Sequence, residues 1–358
     1  METTEKNILQ NNKKVLVGIS GGVDSSVAAI LLKKQGYQVE GVFAKVWQPD
    51  FIECTWRDEM KDAMRICAKL DIPFHFLDLE KEYEEHVAQY MITEYQNGRT
   101  PNPDVMCNTH IKFGFMYEYA MKNGFEYVAT GHYAQNKGGQ LHRGLDENKD
   151  QSYFLWNVSK EKYKHILFPV GELKKSEVRS IAKKNNLFTS EKKDSQGLCF
   201  IGPVDMKSFL KKLIKTEPGS VINDEGTIIG EHEGSVLYTI GERHGFRIFS
   251  EYKKTDDPVL YVVDKNLNKN TITVSKNLRI IERVVLANSN LFAEISNSKE
   301  VQVQFRYRQK PITALLETRE GLLQLGLNSK SESIAIGQSV VFYEGTKCLG
   351  GAIVDKVL

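Results

Sequence analysis

Val15-Leu16-Val17-Gly18-Ile19 runs straight into Ser20-Gly21-Gly22-Val23-Asp24-Ser25, and Ser26-Val27-Ala28-Ala29-Ile30-Leu31-Leu32 follows. The first run is short, continuous and apolar, as a strand buried on both faces is. The last reads as the first turns of a helix. A strand, a Gly/Ser turn and a helix start together make an anion cradle. Adjacent glycines let backbone approach a phosphate closely, and the unpaired N–H groups of the first helical turn face it. The bland alternative is an ordinary strand-to-helix turn rich in small residues.

The details separate this loop from commoner phosphate loops. No Lys follows the glycines, and Gly21 and Gly22 are adjacent, so neither the G-x-x-x-x-G-K-[ST] nor the G-x-G-x-x-G pattern fits. The six residues Ser20–Ser25 instead resemble the pyrophosphate loop of the N-type ATP pyrophosphatases. That resemblance implies cleavage of ATP between its α and β phosphates.

Outward from the loop, strands and helices alternate. Strands are expected at Val39–Val46, Pro73–Leu79 and Tyr127–Thr130, and helices at Trp56–Leu70, Lys81–Tyr95, Ile111–Lys122 and Glu177–Asn185. Alternation of this kind predicts an α/β domain with a doubly wound parallel sheet, whose ligands sit at the carboxyl ends of the strands. Ser20–Ser25 and Gly131-His132 both fall at such ends. Beyond Pro218-Gly219 the pattern changes to short β-rich runs. A hairpin is expected from Val259–Val263 and Thr271–Ser275, and further strands at Val301–Tyr307, Ile312–Thr318, Leu322–Leu327, Ser339–Tyr343 and Leu349–Val354. At 358 residues the chain is long for one core. We therefore expect a catalytic domain at 1–212, a small β-rich central domain at 213–278 and a C-terminal β-barrel at 279–358.

Composition bounds the class. Hydrophobic residues make up 41% and charged residues 26%, ordinary for a globular protein, and no apolar run is long enough for a membrane span. The polar N-terminus, Met1 to Asn12, lacks a signal peptide's apolar core, which predicts a cytoplasmic location. A net charge of +2 hides an asymmetry. Residues 51–100 carry 11 acidic and 6 basic side chains, whereas 160–215 carry 14 basic and 6 acidic. The second stretch suits a polyanion such as RNA, or is a solvated helical face. Five cysteines, odd in number, widely spaced and without a C-x-x-C pair, argue against a disulfide scaffold, a structural zinc or an iron–sulfur cluster.

Two cysteines sit in unusual surroundings. Cys107 ends Gly98-Arg99-Thr100-Pro101-Asn102-Pro103-Asp104-Val105-Met106-Cys107-Asn108, where two prolines predict a rigid loop. If a helical turn starts at Asp104, that carboxylate and Cys107 share a face. Cys199 lies in Lys192-Lys193-Asp194-Ser195-Gln196-Gly197-Leu198-Cys199-Phe200-Ile201-Gly202, where neighbouring lysines favour thiolate. Cys54, Cys67 and Cys348 read as small buried hydrophobes.

Taken with the loop, these two segments, Ala129-Thr130-Gly131-His132-Tyr133, Gly144-Leu145-Asp146 to Leu155, and Phe168-Pro169-Val170-Gly171-Glu172-Leu173 resemble the bacterial tRNA-specific 2-thiouridylase family. Tyr238-Thr239-Ile240-Gly241, Tyr261 to Lys265, Arg306-Tyr307-Arg308-Gln309 and Gly337 to Tyr343 agree, so the resemblance runs from about Lys14 to Val354. It implies ATP-dependent 2-thiolation of the wobble uridine of tRNA, in the family's case on Glu, Gln and Lys acceptors. AMP transfer to the uracil C2 oxygen would make that oxygen a leaving group. It further implies ATP contacts at Gly18, Ile19, Ser20, Gly21, Gly22, Val23, Asp24, Ser25, Ala44 and Gly131. Mg²⁺ would offset polyphosphate charge, with Asp24 a candidate ligand and no metal-binding set legible. Cys199 would carry a persulfide from a sulfur-donor protein, and Cys107 would attack it or resolve it as a Cys107–Cys199 disulfide. Asp104 would act as general acid or base. Asn102, Pro103 and Asp104 would meet the target base, and His132, Lys149, Asp150, Gln151, Arg306, Tyr307 and Gln338 the tRNA. Two positions depart from the family: Ala44 stands where relatives usually have Met, and Glu242 where they have Gln. Another ATP pyrophosphatase acting on tRNA or on a small-molecule carbonyl would explain the loop but not the two cysteines, and a tRNA-binding protein that has lost catalysis would explain neither the intact loop nor Asp104, Cys107 and Cys199.

Overall fold

The computed structural model describes residues 12–52, 55–192, 205–252, 258–294, 298–331 and 333–358. The chain divides into two compact units. One gathers the described residues of Met1–Ala88, Pro103–Pro203 and Tyr343–Gly350; the other those of Gln89–Asn102, Val204–Phe342 and Gly351–Leu358.

The first unit is built on β1 (Lys14–Gly18), β2 (Gln38–Lys45), β3 (Phe74–Asp78), β4 (Tyr127–Ala129), a hairpin of β5 (Ala134–Lys137) and β6 (Gln140–Arg143), and β7 (Ile166–Leu167). Its main sheet has the order β3-β2-β1-β4-β7, every pair parallel. Val15, Leu16 and Val17 of β1 are fully buried, which explains the unbroken apolar run. One core layer joins Val15, Val17 and Phe43 to Ala63, Ile66 and Cys67 of α2 (Trp56–Leu70). Gly41 makes that packing possible, since a Cβ there would meet the Cys67 sulfur at 2.5 Å. A second layer joins Val27 and Ala28 of α1 (Val23–Lys34) to Val178 and Ala182 of a helix at Lys175–Lys184. Strand order reverses between β1 and β4, so a crevice opens beyond their carboxyl ends.

Two helical stretches are wider than the sequence suggests. From α3 (Glu80–Tyr83) the chain passes through a π-helical turn at Glu84–Ala88 and continues as α4 (Gln89–Gln96). The loop expected around Cys107 is shorter than predicted. Pro103 opens α5 (Pro103–Met106), a nine-residue π-helical stretch runs from Cys107 to Phe115, and α6 (Met116–Lys122) completes the rod. Proline suits a first helical position, where its missing N–H costs no bond, so Pro103 starts a helix and does not extend the loop. The lysine-rich Lys175–Lys184 helix is α7.

The second unit contains α8 (Met206–Leu213) and a sheet of β8 (Gly219–Ile222), β9 (Ile228–His232), β10 (Arg247–Ile248), β11 (Tyr261–Asn266) and β12 (Thr271–Ser275) in the order β10-β9-β8-β12-β11. The predicted β11–β12 hairpin is antiparallel, with Val262 opposite Val274. Then follow β13 (Ile281–Leu291), β14 (Ser298–Gln304), β15 (Ile312–Arg319), β16 (Leu322–Ser331), β17 (Ser339–Glu344) and β18 (Lys347–Val357). They run in the order β13-β16-β15-β14-β17-β18, and a β13–β18 pairing closes the expected barrel. Strand β13 was absent from the sequence reading.

Candidate nucleotide and sulfur-transfer site

The loop leaves β1 at Gly18 and enters α1 at Val23, at the point where strand order reverses. Gly22 is the N-cap and brings no side chain to the first turn, so that turn's N–H groups face outward as anion donors. Gly21 has φ +72°, which a β-carbon disfavours, and a Cβ there would meet the Glu59 carbonyl at 2.9 Å. Inside the loop, Ser26 Oγ donates to the Gly22 carbonyl at 2.6 Å, and Ser25 Oγ accepts from the Ser20 N–H at 3.3 Å. The hydroxyls thus fix the turn from below.

Gly131 follows β4 on the other side of the crevice. A Cβ there would stand 2.6 Å from the Ser25 nitrogen and 2.7 Å from the Asp24 carbonyl carbon. Glycine at 131 is required for the loop to lie against β4's end. Ala44 lies near the carboxyl end of β2, opposite Leu77, and is buried.

Three side chains that the sequence reading did not single out surround the loop. Lys175 Nζ lies 2.7 and 2.8 Å from the two Asp24 carboxylate oxygens. The Tyr133 hydroxyl donates to the same carboxylate at 2.8 Å. Lys192 donates to the Gly21 carbonyl at 3.2 Å and pairs with Asp62 of α2 at 2.9 Å. Burial raises the pKa of neighbouring Glu59, with Lys192 opposing the shift. Sequence offered one signal for these residues: a phosphate loop with no lysine of its own needs positive charge from elsewhere.

Cys107 is a reduced cysteine, fully buried at the start of the π-helical stretch, with Asp104 half-buried one turn earlier on α5. Asp104 lies three residues before Cys107, a spacing that on an α-helix sets two side chains on one face, and the α-helix gives way to π-helix at Cys107 itself. Cys199 lies outside the described residues, as does Cys54. Cys67 and Cys348 are buried, and burial pushes their thiols up to about 11 and about 12, which keeps them protonated and inert.

His132 is buried, with Nδ1 2.7 Å from Thr130 Oγ1 and Nε2 3.4 Å from Lys112 Nζ. An ammonium can only donate, so Nε2 accepts and the ring proton sits on Nδ1. Burial first, then Lys112, holds its pKa well below the ordinary value, so the imidazole is neutral. Gln151 exchanges hydrogen bonds with the Tyr133 backbone, accepting from its N–H at 2.9 Å and donating to its carbonyl at 2.8 Å. Asp150 is buried and accepts from Arg143, the Gly144 N–H, the Ser152 N–H and the Ser152 hydroxyl at 2.9–3.0 Å. Its carboxylate thus pins the turn that carries half-buried Lys149.

In the second unit, Arg306 and Tyr307 lie in the barrel loop between β14 and β15. Gln309 shapes that loop by accepting from the Phe305 and Arg306 N–H groups at 2.9 and 3.1 Å. Arg306, Arg308 and Lys310 are all exposed there. Half-buried Gln338 precedes β17, and its carbonyl accepts from the Val354 N–H at 2.9 Å. Half-buried Asn102 and Pro103 flank the boundary between the units.

Three family profiles match consecutive parts of the chain: the tRNA methyl transferase HUP domain over residues 13–203, the tRNA methyl transferase PRC-barrel domain over 207–276, and the aminomethyltransferase beta-barrel domain over 276–354. The tRNA-specific 2-thiouridylase MnmA of Colwellia psychrerythraea is 42% identical, covering 96% of this chain and 96% of its own. That of Hydrogenovibrio crunogenus is 41% identical over 99% of this chain and 96% of its own. The chain belongs to the tRNA-specific 2-thiouridylase MnmA family. Among solved structures, the U34-tRNA thiolase NcsA from Methanococcus maripaludis covers 58% of this chain and 68% of its own at 19% identity, with a TM-score of only 0.37.

Within the MnmA family pattern, Glu242 is the departure with the clearest structural setting. It accepts from the Thr239 N–H at 3.1 Å and pairs with Lys207 at 2.5 Å. Lys207 also lies over the Tyr238 ring, and Lys265 donates to the Tyr238 carbonyl at 2.7 Å. The extra anion is therefore balanced by a neighbouring lysine on the protein.

Proposed function

We propose that this chain catalyses ATP-dependent 2-thiolation of the wobble uridine in tRNA, with Glu, Gln and Lys acceptors as the expected set. The observation that carries the reading is the glycine loop at the reversal of strand order, closed on its far side by Gly131, in a chain that matches MnmA relatives over nearly its whole length. The uracil C2 oxygen attacks the α-phosphorus, the bond from that phosphorus to the bridging oxygen breaks, and pyrophosphate leaves with the electron pair. The loop residues Gly18 to Ser25 hold the phosphates, and Ala44 and Gly131 border the nucleotide.

Sulfur arrives from a donor protein as a Cys199 persulfide. In one order, the Cys107 thiolate attacks the Cys199 sulfur, forming a Cys107–Cys199 disulfide and releasing hydrosulfide, which adds at C2 and expels AMP. In the other, the terminal persulfide sulfur adds at C2, AMP leaves, and Cys107 then frees the thiolated base by forming the same disulfide. Either order ends with a disulfide that an external thiol must reduce. Asp104 moves the proton beside Cys107. Since Cys107 is fully buried, exchange requires the residues over it to move aside when the splayed-out base enters.

Mg²⁺ chemistry would neutralise polyphosphate charge. Among the described residues no group of three or more His, Cys, Asp or Glu is arranged to hold a metal, and the Asp24 carboxylate is engaged by Lys175 and Tyr133. The cation therefore belongs with the triphosphate as part of the substrate, as Mg²⁺ commonly does. His132, Lys149, Gln151, Arg306, Tyr307 and Gln338 are the tRNA contacts, with Asp150 holding the turn between Lys149 and Gln151. The divisions 1–212, 213–278 and 279–358 are our assignment of catalytic, central and barrel domains. Among the described residues no helix is long and apolar enough to cross a membrane, and the tRNA substrate argues for the cytoplasm. Nucleoside mass spectrometry of bulk tRNA from a deletion strain tests the whole: 2-thiouridine derivatives disappear while other thionucleosides persist. Unchanged 2-thiouridine rejects the assignment.

A further inference from the structure

The pyrophosphate loop poses a charge problem that its own sequence does not solve. From Gly18 to Ser25 it holds no cation and one anion, Asp24. The N-terminus of α1 supplies only about half a positive charge, against the several negative charges of a triphosphate. Among the described residues two lysines reach the loop: Lys192 donates to the Gly21 carbonyl and pairs with Asp62, and beside the first turn of α1 lies Lys175. Its ammonium bridges both Asp24 oxygens at 2.7 and 2.8 Å and lies 5.7 Å from the centroid of the Tyr133 ring, and its side chain is only 12% exposed.

Lys175 is presented from a fixed base. Its own N–H donates to Asp146 at 3.0 Å, and the Lys174 N–H is capped by Glu177 at 2.7 Å. The helix that carries it packs on α1 through Val178 and Ala182. This apolar contact already joins the two helices, and a partly buried ion pair adds little to such a joint compared with apolar packing. A lysine acting as a point charge is a common phosphate partner, and its four-carbon stem lets the ammonium exchange one oxyanion for another without moving the helix.

We propose that Lys175 is the polyphosphate-binding cation of this site, held ready by Asp24 and passed to the β-phosphate when ATP occupies the loop. As the bond between the α-phosphorus and the bridging oxygen breaks, charge builds on the departing pyrophosphate, and the Lys175 ammonium offsets it there. The inference rests on the reading that the loop binds ATP.

The test separates the two halves of the nucleotide. Equilibrium binding of inorganic pyrophosphate and of AMP is measured on the full-length wild type, Lys175→Met and Lys175→Arg, together with kcat and KM for ATP in tRNA thiolation. A charge-assisted contact predicts that Lys175→Met weakens pyrophosphate about thirtyfold, leaves AMP within about twofold, and lowers kcat/KM for ATP at least as much as pyrophosphate affinity. Lys175→Arg recovers part of both losses. Equal weakening of AMP and pyrophosphate would mean that Lys175 only shapes the loop, and unchanged pyrophosphate affinity would mean it does not reach the phosphates; either overturns the inference. A wild type that binds neither ATP nor pyrophosphate overturns the underlying reading instead.

Discussion

At the scale of single residues, the glycines are the sharpest test of the site, because each fails for a different reason. Gly131→Ala places a methyl group 2.6 Å from the Ser25 nitrogen, so the loop or β4 must shift. Overpacking of this kind costs about 1–3 kcal/mol, and the displaced cradle should lose ATP affinity by at least about tenfold, read by calorimetry and thermal melting. Gly18→Ala meets only ordinary contact distances, the flexible Met116 side chain at 3.5 Å and the Ala129 carbonyl at 3.9 Å, so its melting temperature should stay near that of the wild type. The two thiols separate chemistry from activation. Cys107→Ser and Cys199→Ser should each lower tRNA thiolation by at least about a hundredfold, while tRNA-dependent release of pyrophosphate from ATP survives. A variant that thiolates at the wild-type rate would remove its cysteine from the mechanism. The glycine loop, Asp104, Cys107 and Cys199 stood out in the sequence because their neighbours form unusual local patterns, and of these Cys199 lies outside the described residues. Lys175, Tyr133 and Lys192 were not, since each reaches the loop only through tertiary folding from more than a hundred residues away.

At the scale of elements, the parallel sheet was readable because its strands are buried on both faces and give unbroken apolar runs. Strand β13 was missed because its burial does not alternate: Val284, Val285 and Leu286 are consecutively buried, while Asn288 and Ser289 are exposed. The β5–β6 hairpin was also missed, although Gly138-Gly139, both with positive φ, is a strong turn signal. The π-helical stretch after Cys107 had no signal in the periodicity, because one extra residue per turn shifts the apolar spacing too little to stand out. The β14–β15 loop gives the element-level prediction. It presents Arg306, Arg308 and Lys310 to solvent while Gln304 and Gln309 hold its backbone, so charge can be removed without unfolding it. Arg306→Ala should weaken tRNA binding several-fold and reduce the slope of log affinity against log salt by about 1. An unchanged slope would place this loop away from the RNA.

At the scale of the whole molecule, burial depresses the pKa of a base in each compact unit, buried His132 in the first and half-buried Lys265 in the second, and these two titrate at opposite ends of the pH range. In the first, His132 has a pKa depressed well below its ordinary value by burial and by Lys112. Between its folded value and about 6.5 the unfolded chain binds more protons, so this histidine's contribution is complete above that range and is lost as pH falls through it. In the second, burial lowers Lys265 to about 8 from 10.5, with Glu242 opposing the shift. Again the unfolded chain holds the extra proton, now between about pH 8 and 10.5, so stability rises with pH across that window. The full effect is of order 3 kcal/mol if the lysine titrates alone. Urea unfolding followed from pH 5 to 10 should therefore show stability falling in acid as His132 and His232 take up protons, and rising in base as Lys265 gives one up. The decisive comparison is with Lys265→Met. The difference between wild type and variant should be flat from pH 6 to 7.5 and move in the wild type's favour above pH 8. A constant difference across the whole range would mean that the ammonium stays charged in its half-buried place, with the Tyr238 carbonyl and Glu242 offsetting its loss of water.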